Sequence, residues 1–173
     1  DAELLDAFKV AATEAPMQGA FLEEPWRQLV GVARQSSEAQ LRTEYDKLFG
    51  GLGKPEVYLF GSHYLSGFLN DKPLANLRGE LARLGLARDE SVGETEDHVA
   101  CLFEVMCYLI AGEDVAVANL TQQQSFFAAQ IQTWVPEMCE AVATHPAASF
   151  YAALARFTQA FAQVEAQAFD ILP

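Results

Sequence analysis

The stretch PLANLRGELARLG, from Pro73 to Gly85, decides the fold class. Its leucines recur at the three- and four-residue steps that place side chains on one face of an α-helix. Proline suits the first turn of a helix, and glycine suits the left-handed position that follows the last turn. The stretch therefore predicts a complete amphipathic helix.

The same helical period recurs along the chain, and the strict alternation expected of a half-buried strand is nowhere sustained. Ser37 to Gln40 fits a capping box and precedes an apolar face. Pro55 to Leu69 predicts a loop followed by a short helix. A long C-terminal helix is indicated by an apolar stripe formed by Phe150, Leu154, Phe157, Phe161, Val164 and Ala168. These patterns predict an all-α fold, a helical bundle in which residues 1–173 form a single domain.

The composition excludes several classes of function. Twenty-four acidic residues stand against 11 basic ones, a net charge of −13 that argues against a nucleic-acid surface and favours a cationic partner. Three cysteines without zinc spacing indicate reduced thiols and a cytoplasmic protein. The uncharged segment 115–136 contains too many amides for a membrane span, and the first ten residues show no export signal.

The pair Asp97-His98, where the stretch ETEDH opens an apolar helix, is the main candidate for a functional site. Adjacent helical residues point about 100° apart, so this aspartate is badly placed to orient its histidine as a catalytic triad requires. Carboxylates favour a helix N-terminus, so capping explains the acids but leaves the histidine unexplained. On this stretch alone, a helix cap and a functional site are equally favoured.

Other catalytic motifs are incomplete. The Gly-rich stretch from Gly50 to Lys54 lacks the serine or threonine of a phosphate-binding loop, because Pro55 follows it. None of the three histidines is followed by the aspartate that a helical metal phosphohydrolase needs. We therefore expect no catalytic residue, no metal and no cofactor. A helical metal-dependent hydrolase that uses His98 stays as the alternative.

An aromatic cluster surrounds the Gly-rich turn, and it has two interpretations. Its members are Tyr45, Phe49, Tyr58, Phe60 and Tyr64. Burying one such ring stabilises a fold by roughly 2 kcal/mol, which favours a core position for most of them. A cluster beside a Gly-rich turn is also suited to forming a groove for an apolar peptide.

Several motifs together resemble the TorD/DmsD/NarJ family of cytoplasmic chaperones for molybdenum-cofactor enzymes. They are Glu44-Tyr45-Asp-Lys-Leu48-Phe49, Pro55-Glu-Val-Tyr58, the leucine-rich helix that ends at Gly85-Leu86, and Glu94-Thr-Glu-Asp97-His98. The resemblance covers roughly Leu41 to Phe169. The chain departs from the family at Thr95, where members often have proline.

The resemblance implies a helical bundle of the TorD-like type that is not an enzyme. Such a chaperone binds the twin-arginine signal peptide of a molybdopterin-dependent oxidoreductase in its apo form, and it holds back export until the cofactor is inserted. The implied binding residues are Glu44, Tyr45, Leu48, Phe49, Tyr58, Glu94, Asp97 and His98, with Glu96 as a further source of charge. We expect mainly a monomer, with a minor domain-swapped dimer that covers the C-terminal stripe.

Overall fold

The computed structural model describes residues 2–11, 22–50 and 54–171. Within these ranges the chain forms helices and no strand, and the one β-type pairing is an isolated bridge between Phe60 and His98. The helices are α1 (Ala2–Val10), α2 (Glu23–Gln35), α3 (Glu38–Leu48), α4 (Gly61–Ser66), α5 (Lys72–Arg83), α6 (Val99–Ala111), α7 (Leu120–Phe126), a π-helical segment (Phe127–Ile131), α8 (Val135–Ala143) and α9 (Phe150–Ile171). The prediction of an all-α fold is confirmed.

The contacts gather the chain into two compact units. Unit 1 consists of Asp1–Tyr58 and Met138–Ala168, and unit 2 consists of Leu59–Glu137 and Phe169–Pro173. Each unit therefore combines segments that are far apart in the sequence. That residues 1–173 form a single domain stays a prediction.

The core of unit 1 is built on the apolar face of α2. Leu29 and Ala33 are fully buried, and they pack with buried Leu5, Phe150 and Ala153. Aromatic rings extend this cluster: the centroid of the Trp26 ring lies 5.8 Å from that of Phe8 and 5.4 Å from that of Phe157. The apolar residues that recur at helical spacing in the sequence of α2 thus form part of this core.

Helix α3 begins at the predicted capping box. The Ser37 hydroxyl accepts a hydrogen bond from the Gln40 amide N–H at 3.3 Å, and the Gln40 side-chain oxygen accepts one from the Ser37 N–H at 2.8 Å. These two bonds satisfy backbone donors that the first turn of a helix leaves without partners.

The C-terminal helix α9 packs differently from its predicted stripe. Its buried side chains are Phe150, Ala152, Ala153, Ala155, Ala162 and Phe169. Phe161, which the stripe included, is 37% exposed, and Ala168 is exposed as well. The prediction is wrong at these two positions, because both lie off the buried face of α9. That face consists of the phenylalanines near its ends and of four alanines, whose small side chains let neighbouring helices approach closely.

In unit 2, α5 agrees with the sequence pattern. Pro73 lies in its first turn, and Gly85 adopts a left-handed φ of 71° just beyond its end. Leu74, Leu77 and Leu81 are buried. The stretch from Pro73 to Gly85 therefore forms the helix that its sequence predicts.

Trp134 anchors the core of unit 2. Its ring is 2% exposed, stacks on Tyr64 with 5.5 Å between centroids, and donates a hydrogen bond from Nε1 to the Gln130 carbonyl oxygen at 2.6 Å. Helix α4 starts so close to this ring that a Cβ atom added at Gly61 would lie 3.1 Å from it. The predicted loop and short helix between Pro55 and Leu69 are confirmed.

Two details of the helix ends differ from the sequence pattern. Thr121 to Gln124 has the sequence of a capping box, but the cap of α7 is Asn119, whose side-chain oxygen accepts from the Gln122 N–H at 3.1 Å. The helical path breaks before Pro136, which lies in the first turn of α8. The Gly-rich turn at 51–53 and the predicted close of the first helix at Pro16 and Gly19 lie outside the described residues. None of the helices in the described ranges has the length and apolar character needed to cross a membrane.

Candidate functional site

The eight predicted binding residues divide between the two units. Glu44, Tyr45, Leu48, Phe49 and Tyr58 belong to unit 1, and Glu94, Asp97 and His98 belong to unit 2.

Glu44 caps a remote helix. Its Oε1 accepts hydrogen bonds from the backbone N–H of Ser149 at 2.7 Å and of Tyr151 at 2.9 Å, and its Oε2 accepts one from Phe150 at 3.2 Å. Phe150 and Tyr151 begin α9 and Ser149 immediately precedes it; N–H groups at this end of a helix have no partners within the helix, and negative charge is favoured there. Glu44 thus ties α3 to the start of α9.

Three aromatic rings meet beside Glu44. The centroid of Tyr45 lies 5.2 Å from that of Phe49 and 5.8 Å from that of Tyr151, and Phe49 and Tyr151 are 5.3 Å apart with their planes nearly perpendicular. Tyr45 is 41% exposed, whereas Leu48 is fully buried. The leucine therefore packs in the core of the unit, while the tyrosine presents an aromatic surface to solvent.

A groove of about 270 Å³ lies next to this aromatic surface. It is lined by Leu5, Glu38, Leu41, Arg42, Tyr45 and Tyr151. Burial raises the pKa of the Tyr151 hydroxyl, with smaller contributions from Tyr45, Glu44 and Asp46, so the hydroxyl stays neutral. The groove combines apolar walls with charged groups at its edge, a lining suited to an apolar peptide segment that also carries charge.

In unit 2, Asp97 is buried at 3% exposure, and both of its carboxylate oxygens have partners. Oδ2 accepts from the Ser62 N–H at 2.9 Å, and Oδ1 accepts from the Thr95 hydroxyl at 2.7 Å. The Asp97 carbonyl oxygen also accepts from the Gly61 N–H at 2.9 Å. Asp97 therefore fixes the entry into α6 against the start of α4.

His98 is the N-cap of α6. Its Nδ1 accepts a hydrogen bond from the Ala100 N–H at 3.2 Å, and its ring meets Phe60 edge to face with 5.1 Å between centroids. The expectation that capping leaves the histidine unexplained is wrong, because a neutral imidazole offers an acceptor nitrogen that serves as a hydroxyl or carboxylate oxygen does.

The His98 cap depends on the neutral ring. Burial lowers the pKa of His98, and the opposing influence of Glu94 and Asp97 is smaller. The ring is therefore neutral at neutral pH, with its proton on Nε2 because Nδ1 is the acceptor. Glu94 itself is exposed.

Glu96 makes ion pairs that the sequence analysis missed. Arg78 of α5 donates from Nε to Glu96 Oε2 at 3.0 Å, and its Nη2 lies 2.9 Å from the same oxygen. Arg88 Nε lies 3.9 Å from Oε1. The hydrogen bond from Arg78 is the largest of the effects that lower the pKa of Glu96, so this carboxyl group is ionised at neutral pH. Arg78 and Arg88 lie 18 and 8 positions before Glu96, too far along the chain for a local sequence pattern to predict these pairs.

The described part of the chain shows no metal centre. No three histidine, cysteine, aspartate or glutamate side chains within it are grouped so that they could hold an ion. Burial raises the pKa of the Cys139 thiol to about 12 and raises that of Cys101 as well, so neither thiol is activated as a nucleophile.

Residues 18–140 match the family described as "Nitrate reductase delta subunit". The chain belongs to this family. The matched range includes all eight predicted binding residues. The predicted membership of the TorD-like family is confirmed, because the curated relatives carry the name TorD.

Relatives of this TorD-like chain are named "Chaperone protein TorD". One from Vibrio cholerae serotype O1 (classical Ogawa) is 30% identical over 146 residues, which cover 80% of this chain and 66% of the relative. One from the El Tor Inaba strain is 27% identical over 146 residues, which again cover 80% of this chain and 66% of the relative. One from Aliivibrio fischeri is 26% identical, over 76% of this chain and 65% of the relative. The chain thus spans slightly less than two thirds of these relatives' length. The relatives are named as chaperones, which agrees with the prediction that this chain is not an enzyme.

Proposed function

We propose that this protein is a cytoplasmic chaperone that matures a redox enzyme. It binds the twin-arginine signal peptide of a molybdopterin-dependent oxidoreductase in its apo form and holds back export until the cofactor is inserted and the enzyme has folded. The observation that carries the proposal is the relationship to proteins named "Chaperone protein TorD" across 80% of this chain. The client enzyme and its signal peptide go beyond what those names state, and they are part of the proposal.

The geometry of unit 1 supports the apolar half of this recognition. The exposed ring of Tyr45 and the adjacent groove offer the aliphatic and aromatic area that an apolar peptide segment buries on binding. In the proposal, Tyr45, Phe49 and Tyr58 contact the peptide. Leu48 and Glu44 act indirectly, because the buried leucine and the helix-capping carboxylate hold α3 in position beneath those rings.

Unit 2 supports the recognition of charge. Glu94 is exposed and negatively charged, and the His98 ring, packed on Phe60, is only half-buried. In the proposal these two side chains contact the arginines or their neighbours, while Asp97 positions them by bonding to Ser62 and Thr95. The net charge of −13 attracts a cationic peptide at long range.

The alternative of a metal-dependent hydrolase at His98 gains no support from any observation. Nδ1 of His98 is engaged with the Ala100 N–H, and the described residues offer no cluster of ligands around it.

Titration calorimetry tests the proposal. The ligand is a synthetic twin-arginine signal peptide of the molybdoenzyme whose gene neighbours that of this protein, and the comparison peptide has both arginines changed to alanine. We expect binding of the first peptide at micromolar concentration and much weaker binding of the second. Equal binding of both peptides, or binding of neither, would refute the proposal.

A matched pair of tyrosine variants locates the binding surface. Tyr45 and Tyr108 have almost the same exposure, 41% and 39%, but Tyr108 lies on α6 in unit 2 and is not one of the predicted binding residues. Tyr45→Ala is expected to weaken peptide binding about tenfold, the loss of one well-buried aromatic contact, and Tyr108→Ala to leave it unchanged. Equal effects of the two substitutions would argue against the groove beside Tyr45.

A further inference from the structure

Unit 2 holds a second groove, separate from the residues proposed above to contact the peptide. Its volume is about 180 Å³, and it lies between the end of α5, the loop 86–93 and α6. Its lining is mainly apolar, with four charged groups among ten residues: Leu81, Leu86, Ala87, Arg88, Asp89, Val92, Glu96, Cys101, Glu104 and Val105. All ten belong to unit 2.

The two oxygens of Glu96 differ in how well they are paired. Oε2 receives both contacts from Arg78, at 3.0 and 2.9 Å. Oε1 lies 3.9 Å from the Nε of Arg88, which exceeds the length of a hydrogen bond. The Glu96 side chain is 14% exposed. A carboxylate with one loosely paired oxygen is therefore held at the wall of an apolar groove.

The charges that line the groove favour a cation. Three of the charged residues, Asp89, Glu96 and Glu104, are acidic and one, Arg88, is basic. Hydrogen bonds from Ser91, first from its hydroxyl and then from its backbone N–H, lower the pKa of Asp89, so this carboxylate is ionised at neutral pH. A cationic side chain with an aliphatic stem matches this combination of acidic and apolar lining.

Arg88 already places such a side chain there. Its guanidinium lies near Glu96 and donates a hydrogen bond to the carbonyl oxygen of Val92 within the same loop. The arginine belongs to the lining of the groove, so the position that a bound guanidinium would take is held by a residue of the chain itself. Arg88 pairs with Glu96 at a longer distance than Arg78 does, and of the two it is the one that can be exchanged at smaller cost.

We propose that this groove takes an arginine of the bound peptide, whose guanidinium replaces Arg88 at Oε1 of Glu96 while a neighbouring apolar side chain packs against Leu81, Val92 and Val105. The inference rests on the proposed function and deepens it, since it names Glu96 as a residue that reads an arginine and Arg88 as its internal competitor. Arg78 stays on Oε2 and keeps the carboxylate in place. A planar guanidinium suits this exchange better than an ammonium group, because its donors sit on separate nitrogens in a fixed fork, as do those with which Arg88 reaches Glu96 and the Val92 carbonyl oxygen.

Two substitutions with opposite expected effects test the exchange. The probe is the twin-arginine peptide of the calorimetric experiment, measured against the full chain at one salt concentration. Glu96→Gln is expected to weaken binding about tenfold, since it removes a charge-assisted hydrogen bond. Arg88→Ala is expected to tighten binding about threefold, since it removes a loosely paired competitor.

The matched control is Arg83→Ala. Arg83 is an exposed residue in the last turn of α5 that does not line the groove, and its loss changes the net charge as the loss of Arg88 does. The tightening expected for Arg88→Ala must exceed that of Arg83→Ala. Circular dichroism and the melting temperature of each variant show whether the variant is folded. A peptide with both arginines changed to lysine tests the preference for guanidinium over ammonium.

Cys101 gives an independent measure of where the peptide lies. Its thiol lines the groove and is half-buried, Cys139 is buried, and Cys107, which is exposed, is replaced by serine for this experiment. We expect peptide to slow the alkylation of Cys101 by iodoacetamide in proportion to the fraction of protein bound. An unchanged alkylation rate at saturating peptide would overturn the proposed location.

The outcomes separate this inference from the proposed function. If the peptide binds and depends on its arginines, but Arg88→Ala has no more effect than Arg83→Ala, the function stands and the exchange at Glu96 is refuted. If the unaltered protein does not bind the peptide, both are refuted.

Discussion

The structure changes the expected role of Glu44, and substitution of this residue makes a sharp test. A carboxylate that contacts a cationic peptide contributes to affinity, whereas one that caps a helix contributes to stability. Glu44 accepts three backbone hydrogen bonds, from Ser149, Phe150 and Tyr151, at 2.7 to 3.2 Å. We therefore expect Glu44→Ala to destabilise the protein and to leave the affinity for the peptide nearly unchanged.

The magnitude follows from what the first turn of α9 loses. Removal of a helix N-cap costs about 1 kcal/mol, and removal of a negative charge from a helix N-terminus costs about 0.3–1 kcal/mol more. Glu44 is only partly buried, so water replaces some of the lost acceptors. The free energy of unfolding is expected to fall by about 1–2 kcal/mol, and for a chain of this length the melting temperature falls by about 2–8 °C.

The assay is thermal and urea-induced unfolding followed by circular dichroism, with calorimetric peptide binding measured on the same samples. Asp46→Ala is the matched control, because it removes one carboxylate from an exposed position of the same helix. Glu44→Gln keeps one acceptor oxygen, so its melting temperature is expected to lie between those of the unaltered protein and of Glu44→Ala. An unchanged melting temperature together with a tenfold loss of peptide affinity would refute the capping role.

Four further predictions follow from the caps, the core and the charge. Because the pKa of His98 is lowered in the folded state, the unfolded chain takes up a proton near the ordinary value of 6.5 while the folded chain resists it. The free energy of unfolding is therefore full above this pH and decreases as the pH falls below it. His98→Asn, which keeps a cap acceptor, should lose this dependence in urea titrations between pH 5 and about 8. Asp97→Ala leaves the Ser62 N–H without its partner and should lower the free energy of unfolding by about 2 kcal/mol, more than Asp97→Asn does; equal effects would contradict this. Gly61→Ala brings a methyl group to 3.1 Å from the Trp134 ring and should destabilise the protein by about 1–3 kcal/mol, with a change in tryptophan fluorescence. Light scattering coupled to size exclusion should show mainly monomer with a minor dimer, and a single stable dimer at micromolar concentration would contradict this.

The local features of the fold could be predicted because their causes lie within a few residues of each other. The helix from Lys72 to Arg83 carries its proline, its leucine face and its glycine end in one continuous stretch. The capping box at Ser37 likewise depends on a partner three residues away. Patterns of this range are visible in the sequence without knowledge of what the helix packs against.

The parts that could not be predicted depend on partners far along the chain. Glu44 bonds to residues 105 to 107 positions away, and Asp97 to a residue 35 positions away. A single sequence gives no indication of which remote N–H group a carboxylate will meet. For the same reason, the sequence does not show which residues of α9 are covered: four of its alanines are buried, whereas Phe161 of the predicted stripe is exposed.

The three-dimensional contacts also change which acid is available to meet an arginine. Of the four carboxylates that the sequence offers for this role, Glu44 and Asp97 are engaged by backbone N–H groups. Glu94 is exposed, so an ion pair made there is screened by water and salt and contributes little affinity. Glu96 combines low exposure with guanidinium partners, and hydrogen bonding from Arg78 lowers its pKa. Selectivity for arginine over lysine is therefore expected to depend on Glu96, and long-range attraction on Glu94. Raising the salt concentration should accordingly abolish the effect of Glu94→Gln on peptide affinity while preserving most of the effect of Glu96→Gln, and the reverse pattern would show that the exposed acid is the one that reads the peptide.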